Sequence, residues 1–183
     1  AGKNGRFQFD LTESPRAEAL KAGLVGDADL VALYERDGAG ADLAEVVRRA
    51  VAVKAAIVGR DPREQGERAH LNYGHTVGHA VEVAGGWAHG DAVAVGLVAA
   101  GRASALLAGF AEEARQRDLL VALGLPVSAP GLDPATVRRL MGLDKKRTGD
   151  GLRLVLLEAV GRPRLEAVGA ATVEAALAAV GIS

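Results

Sequence analysis

The sequence of 183 residues contains no cysteine, which removes disulfides and thiolate metal sites together. Any metal it holds must be bound by histidine and carboxylate. Aromatic residues are scarce, with one Trp, two Tyr and three Phe. The core must therefore be built from Ala, Val and Leu, and such small side chains favour close helix packing over a thick sheet sandwich. There is no excess of basic charge, since 22 Lys and Arg face 23 Asp and Glu, so no nucleic-acid partner is expected. The first residues show no signal-peptide pattern, so none is expected. The most apolar run, Ala92 to Ala108, is cut by Arg102 and reads as a buried helix, too short to span a bilayer. A cytoplasmic location without a membrane partner is the expectation. Lysine is also rare: only Lys3, Lys21, Lys54, Lys145 and Lys146 stand among the 22 basic residues. A lysine that persists against such a preference for arginine marks a position where a compact ammonium on a flexible stem is useful.

What is present reads as mostly helical. Ser14-Pro15 is a helix start, and Asp27 can cap a second helix that runs to about Arg36. Gly38-Ala39-Gly40 follows a helix rather than a strand and reads as a turn, not a dinucleotide loop. Asp42 and Glu45 form a capping-box pattern that opens a helix to about Val58. After a polar loop at 59–66, one helix is expected over 68–84 and the central apolar helix over 91–108. Further helices are expected over 112–123, from Asp133-Pro134 to about Met141, and over 172–180. Two short strands, 152–157 and 164–168, flank Gly161-Arg162-Pro163.

All four histidines lie between positions 70 and 89. His75 and His79 are four apart and would share one helix face, so spacing alone offers them as a ligand pair. The same spacing equally allows one ligand and one hydrogen-bonding neighbour, or two core histidines. The glutamate of an H-E-x-x-H motif is absent, which excludes a zincin. Glu82 either orients a histidine or faces solvent, and Trp87 packs near the loop before His89.

The run L-N-Y-G-H-T-V-G-H-A-V-E at 71–82, followed by His89-Gly90-Asp91, resembles the signature of the dehydroquinate synthase family. Four more segments resemble family motifs in the same order. These are the Ala17–Asp27 helix with its Glu18 and Lys21, Val53-Lys54-Ala55, the Glu64-Gln65-Gly66-Glu67-Arg68 loop, and Asp144-Lys145-Lys146. The resemblance implies a mainly α, bundle-like C-terminal domain of the dehydroquinate synthase-like fold with one small β-hairpin, forming a single metal- and substrate-binding domain over 1–183.

It further implies one zinc ion, or another divalent metal such as cobalt, held by Glu18, His75 and His89. His79 would then be no ligand; it would assist proton transfer or touch phosphate. Lys21, Lys54, Arg68, Asn72 and His79 are the catalytic positions it implies, and Glu64, Lys145 and Lys146 the substrate-binding ones. The family converts 3-deoxy-D-arabino-heptulosonate 7-phosphate to 3-dehydroquinate. A carbinol is oxidised by NAD, phosphate is eliminated, the hydride returns and the ring closes. The family's N-terminal NAD-binding α/β domain has no counterpart here, although Gly2-Lys3-Asn4-Gly5 resembles a segment near its end. NAD would be held mainly by that domain, the chain alone would be inactive, and the full-length enzyme would be a homodimer. Related readings are an amino-dehydroquinate or 2-deoxy-scyllo-inosose synthase, a metal-dependent glycerol or alcohol dehydrogenase domain, and a non-catalytic module that has kept the fold.

Overall fold

The computed structural model describes residues 15–63, 66–142 and 152–183. Among the described residues, seven α-helices precede a β-hairpin and an eighth follows it. They are α1 (Pro15–Gly26), α2 (Ala28–Asp37), α3 (Leu43–Arg60), α4 (His75–Gly85), α5 (His89–Ala108), α6 (Glu113–Ala122), α7 (Pro134–Leu140) and α8 (Ala170–Ala178). The strands β1 (Leu152–Ala159) and β2 (Arg162–Val168) pair antiparallel, with Leu152 opposite Val168 and a register irregularity between Leu157 and Ala159. The mainly helical architecture with one hairpin is thus as the composition and periodicity imply.

Side-chain capping sets three of the helix starts. Asp27, Asp42 and Asp133 each accept a backbone N–H from the third residue of the helix they open, from Leu30 (3.1 Å), Glu45 (2.8 Å) and Thr136 (2.9 Å). The Asp42 box is only half made, because the Glu45 carboxylate turns to Arg48 and Arg49 instead of back to the cap. Helix α3 also extends through Gly59 to Arg60, beyond the expected loop boundary. The Ser14 cap lies outside the described residues.

The central helix is α5, which packs against α1, α4, α6, α8 and β1. It is 20 residues long and apolar enough to cross a membrane by length and composition, yet 67% of that apolar window is buried inside the fold. The helix begins at His89, earlier than expected, and this is why it exceeds the length read from the apolar run alone. Its small residues let neighbours approach closely. Ser104 donates to the Ala100 carbonyl (2.7 Å) and accepts from Leu157 N–H of β1 (2.9 Å), which ties the hairpin to the helix. Gly161, at the hairpin tip, donates to the Leu24 carbonyl near the end of α1 (2.8 Å).

One expectation fails. A continuous helix over 68–84 is replaced by a 3-10 turn at Glu67–Asn72 and then α4, with Tyr73 and Gly74 between them. The cause is the contact with α5. Gly74 has φ +78, and a Cβ there would lie 2.9 Å from the Leu97 backbone nitrogen. A methyl on Gly96 would overlap the Gly74 carbonyl oxygen and stand 2.7 Å from Gly78 N. The two backbones meet through glycine on both sides, and the chain must kink at Gly74 to enter α4. His75 is consequently the first residue of a helix, not a mid-helix residue.

Candidate metal centre

Three chain segments converge beside that kink. Glu18 projects from the first turn of α1, His75 is the first residue of α4, and His89 is the first residue of α5. One ligand atom from each lies within 4.8 Å of the others. Glu18 Oε1 is 3.3 Å from His75 Nε2 and 3.5 Å from His89 Nε2, and the two rings meet edge to face with centroids 5.7 Å apart.

The outer contacts of the imidazoles define which nitrogen faces inward. His75 Nδ1 lies 3.4 Å from the Tyr73 carbonyl, and His89 Nδ1 lies 3.0 Å from Glu82 Oε2. Both acceptors can only receive, so Nδ1 is the donor in each contact, and Nε2 of each ring is the nitrogen that faces Glu18. Glu18 Oε1 is itself buried and makes no hydrogen bond. Three potential electron-pair donors therefore face one another, with Glu18 Oε1 left without a hydrogen-bond partner, an arrangement that a shared cation would satisfy. The donor set, two imidazoles and a carboxylate with outer hydrogen bonds fixing the rings, fits a divalent metal with positions left for other ligands. Glu82 thus orients His89, which resolves the alternatives its spacing left open.

Electrostatics favour the deprotonated forms of His75 and Glu18. Burial, then the neighbouring Lys21 ammonium, push His75 down to about 4, so it is neutral at physiological pH. Burial raises the Glu18 carboxyl, but Lys21, His75 and His89 outweigh it and hold it below its ordinary value. Lys21, only 6% exposed, donates to Glu18 Oε2 at 2.7 Å and stands 3.5 Å from His75 Nε2. Burial lowers its pKa against the pull of Glu18, and Lys54 adds to the lowering from α3. Two of the rare lysines thus feel each other at this centre.

The other described residues expected at the site are not members of that cluster. Lys54 is half-buried on α3. Arg68 sits in the 3-10 turn, where its backbone N–H donates to Asp61 Oδ2 at 3.0 Å. Asn72 ends that turn and is exposed, and His79 is exposed one turn along α4 from His75. His79 does not join the three-residue cluster, so the i,i+4 pairing that spacing alone permits is not the arrangement that converges. Glu64, Lys145 and Lys146 lie outside the described residues.

A buried network, invisible to motif reading, holds the His75 turn. The Tyr73 hydroxyl donates to Gln116 Oε1 of α6 (2.8 Å), and Gln116 Nε2 donates to the Leu97 carbonyl of α5 (2.6 Å). Nothing in the sequence sets Gln116 apart from the polar residues beside it.

A family model described as 3-dehydroquinate synthase C-terminal matches residues 16–147. Curated relatives named 3-dehydroquinate synthase include those of Nitrosospira multiformis, 42% identical over 82% of this chain and 44% of the relative, and Corynebacterium jeikeium, 41% identical over 89% and 47%. The chain spans less than half the length of these relatives. Among solved structures, the 2-epi-5-epi-valiolone synthase of Streptomyces hygroscopicus, with NAD+ and Zn2+ bound, aligns with a TM-score of 0.75 at 29% identity, covering 90% of this chain and 49% of that one. A 2-deoxy-scyllo-inosose synthase complexed with carbaglucose-6-phosphate, NAD+ and Co2+ aligns with a TM-score of 0.71 at 26% identity, covering 86% and 49%.

Proposed function

The chain belongs to the 3-dehydroquinate synthase C-terminal family, and from that membership we propose that it supplies the metal- and substrate-binding half of a 3-dehydroquinate synthase. The reaction is the NAD-dependent conversion of 3-deoxy-D-arabino-heptulosonate 7-phosphate to 3-dehydroquinate with release of phosphate. The observation that carries the reading is the convergence of Glu18, His75 and His89, with both Nδ1 protons engaged elsewhere. These three would hold zinc or cobalt. When bound, the metal supplies Lewis acidity toward a substrate hydroxyl.

The chain's own residues do the rest. The substrate carries a carboxylate and a phosphate, and Lys21, Lys54 and Arg68 supply positive charge for two such anions. Lys21 has the further task of offsetting Glu18 at 2.7 Å, so its ammonium is held within reach of the centre rather than free to rotate into solvent. Asn72, exposed at the mouth of the kink, offers an amide to a hydroxyl. His79, exposed on the same helix as His75, accepts or returns a proton on the open side. Glu64, Lys145 and Lys146 complete the substrate contacts in this reading. NAD is contributed mainly by the N-terminal half that the relatives possess, and the full-length enzyme is a homodimer.

Two measurements test this. After dialysis against a chelator, the chain should take up one equivalent of Zn2+, and Glu18→Gln or His89→Ala should abolish that uptake. Joined to the NAD-binding half of a relative, it should release phosphate from the heptulosonate substrate with NAD present; alone it should release none. A related sugar phosphate cyclase is the second reading, motivated by the two solved neighbours. Phosphate released faster from another sugar phosphate than from the heptulosonate would favour it.

A further inference from the structure

We infer that the buried Tyr73–Gln116 hydrogen bond is a positioning device for the metal centre, setting the orientation of His75 through the Tyr73 backbone carbonyl. The inference rests on the reading of Glu18, His75 and His89 as metal ligands.

Tyr73 does two jobs with two different groups. Its carbonyl accepts from His75 Nδ1 at 3.4 Å, which turns Nε2 toward Glu18 and His89. Its side chain, fully buried, reaches away from the centre to Gln116 Oε1 at 2.8 Å. Gln116 is 2% exposed and passes the restraint on to the Leu97 carbonyl at 2.6 Å. Leu97 is also the residue whose backbone nitrogen lies closest to a Cβ built on Gly74. One stretch of α5 therefore fixes the turn from both directions, through backbone contact at Gly74 and through hydrogen bonds at Tyr73. Space for the amide is provided by Gly101, where a Cβ would stand 2.8 Å from Gln116 Nε2. The contact of this network with the proposed ligands runs from the Tyr73 carbonyl to His75 Nδ1.

Packing alone does not require this arrangement. A phenylalanine would fill the Tyr73 site, and a methionine would fill most of the Gln116 site. What the polar pair adds is direction: a hydrogen bond admits a narrow range of angles, whereas apolar contact tolerates rotation of the ring and of the peptide that carries it. The peptide plane after Tyr73 bears the carbonyl that His75 uses.

The test is the Zn2+ and Co2+ affinity of the chain, measured by competition with a chromophoric chelator, alongside the melting midpoint of the metal-free chain. Tyr73→Phe removes the hydroxyl and leaves Gln116 Oε1 buried and unpaired. Tyr73→Phe/Gln116→Met removes both partners, and an apolar pair of similar shape is nearly neutral for stability. The double variant decides, because it keeps the core filled even if the single variant fails to fold. The expected result is metal binding weakened about 10- to 100-fold, as for other groups that orient a metal-binding histidine, with the midpoint close to that of the unmodified chain. Affinity within about twofold of the unmodified chain at that midpoint would overturn the inference and assign the pair to packing. Failure of the unmodified chain to bind either metal would instead remove the metal reading, and this inference with it.

Discussion

Adding a single methyl group should have opposite effects at two helical glycines, and the contrast tests whether backbone contact between α4 and α5 builds the site. At Gly96 a Cβ would overlap the Gly74 carbonyl oxygen and stand 2.7 Å from Gly78 N. Both neighbours are backbone, so no side-chain rotation can relieve the overlap, and the helices must separate. Overpacking costs about 1–3 kcal/mol where side chains can adjust, and Gly96→Ala belongs at or above the top of that range. For a chain of this size, 1 kcal/mol moves the midpoint by about 2–4 °C, so a fall of roughly 6–12 °C is expected. At Gly59, within α3, a Cβ would meet nothing within 4 Å and no positive φ is needed. Gly59→Ala should therefore stabilise by about 0.4–1 kcal/mol, raising the midpoint by roughly 1–4 °C. Differential scanning calorimetry of the metal-free chain would read both, and Zn2+ titration should show the Gly96 variant binding more weakly, because the turn bearing His75 moves with the Gly74 carbonyl. A neutral Gly96→Ala would refute the claim that glycine-to-glycine contact sets the kink.

Three other outcomes follow from the same geometry. Lys21→Met keeps the length of the stem but deprives Glu18 of its 2.7 Å partner; the midpoint should fall in chelator and recover in saturating Zn2+, whereas an equal loss in both conditions would mean that Lys21 serves packing alone. Glu82→Ala removes the acceptor from His89 Nδ1; metal affinity should drop about 10- to 100-fold, while the metal-free midpoint, resting on a half-exposed pair, should change by less than that of about 1 kcal/mol, and unchanged affinity would show that His89 needs no such support. In the metal-free chain His75 is depressed from 6.5 to about 4, so the unfolded state binds the extra proton in that window; stability should be complete above about pH 6.5 and decline as the pH falls toward 4, by at most about 3 kcal/mol. The lowered Glu18 carboxyl acts in the same direction at the acid end. His75→Gln should flatten this slope, and a slope unchanged in that variant would assign the pH response to other groups.

Several helix boundaries were legible because they are local chemistry. Aspartate at 27, 42 and 133 caps the next turn by its own side chain, and Gly86 ends α4 in the left-handed conformation. The hairpin was legible for the same reason, as two apolar runs about a glycine turn. The break before α4 was not. Tyr73 and Gly74 carry no sign that α5 will lie against them; the signal is shared with Gly96, more than twenty residues away, and only the packed pair gives it meaning. The same distinction governs the site. Spacing within one helix offers His75 with His79, because periodicity sees only neighbours on a single element. The group that converges takes Glu18, His75 and His89 from three elements, and here the family resemblance supplied what periodicity could not. Gln116 had neither kind of signal, since its importance lies wholly in a contact with a residue 43 positions earlier.

Placing both histidines at the first position of a helix has a consequence for what a metal there can do. The exposed N–H groups at the start of α4 and α5 make each end electropositive, and Lys21 adds a buried ammonium beside them. Such surroundings keep His75 neutral, but they would also oppose a cation held there. Only Glu18 among the ligands carries a compensating charge, with Glu82 behind His89 at 3.0 Å. A site built for the tightest possible retention of a metal would place more carboxylates around it and fewer positive groups. The same field, however, stabilises any anion that joins the metal, and lowers the pKa of a hydroxyl bound there. If Glu18, His75 and His89 hold a metal as proposed, this balance of charge would favour an anionic ligand over the tightest retention of the ion, and Lys21 would be among the groups such a ligand meets.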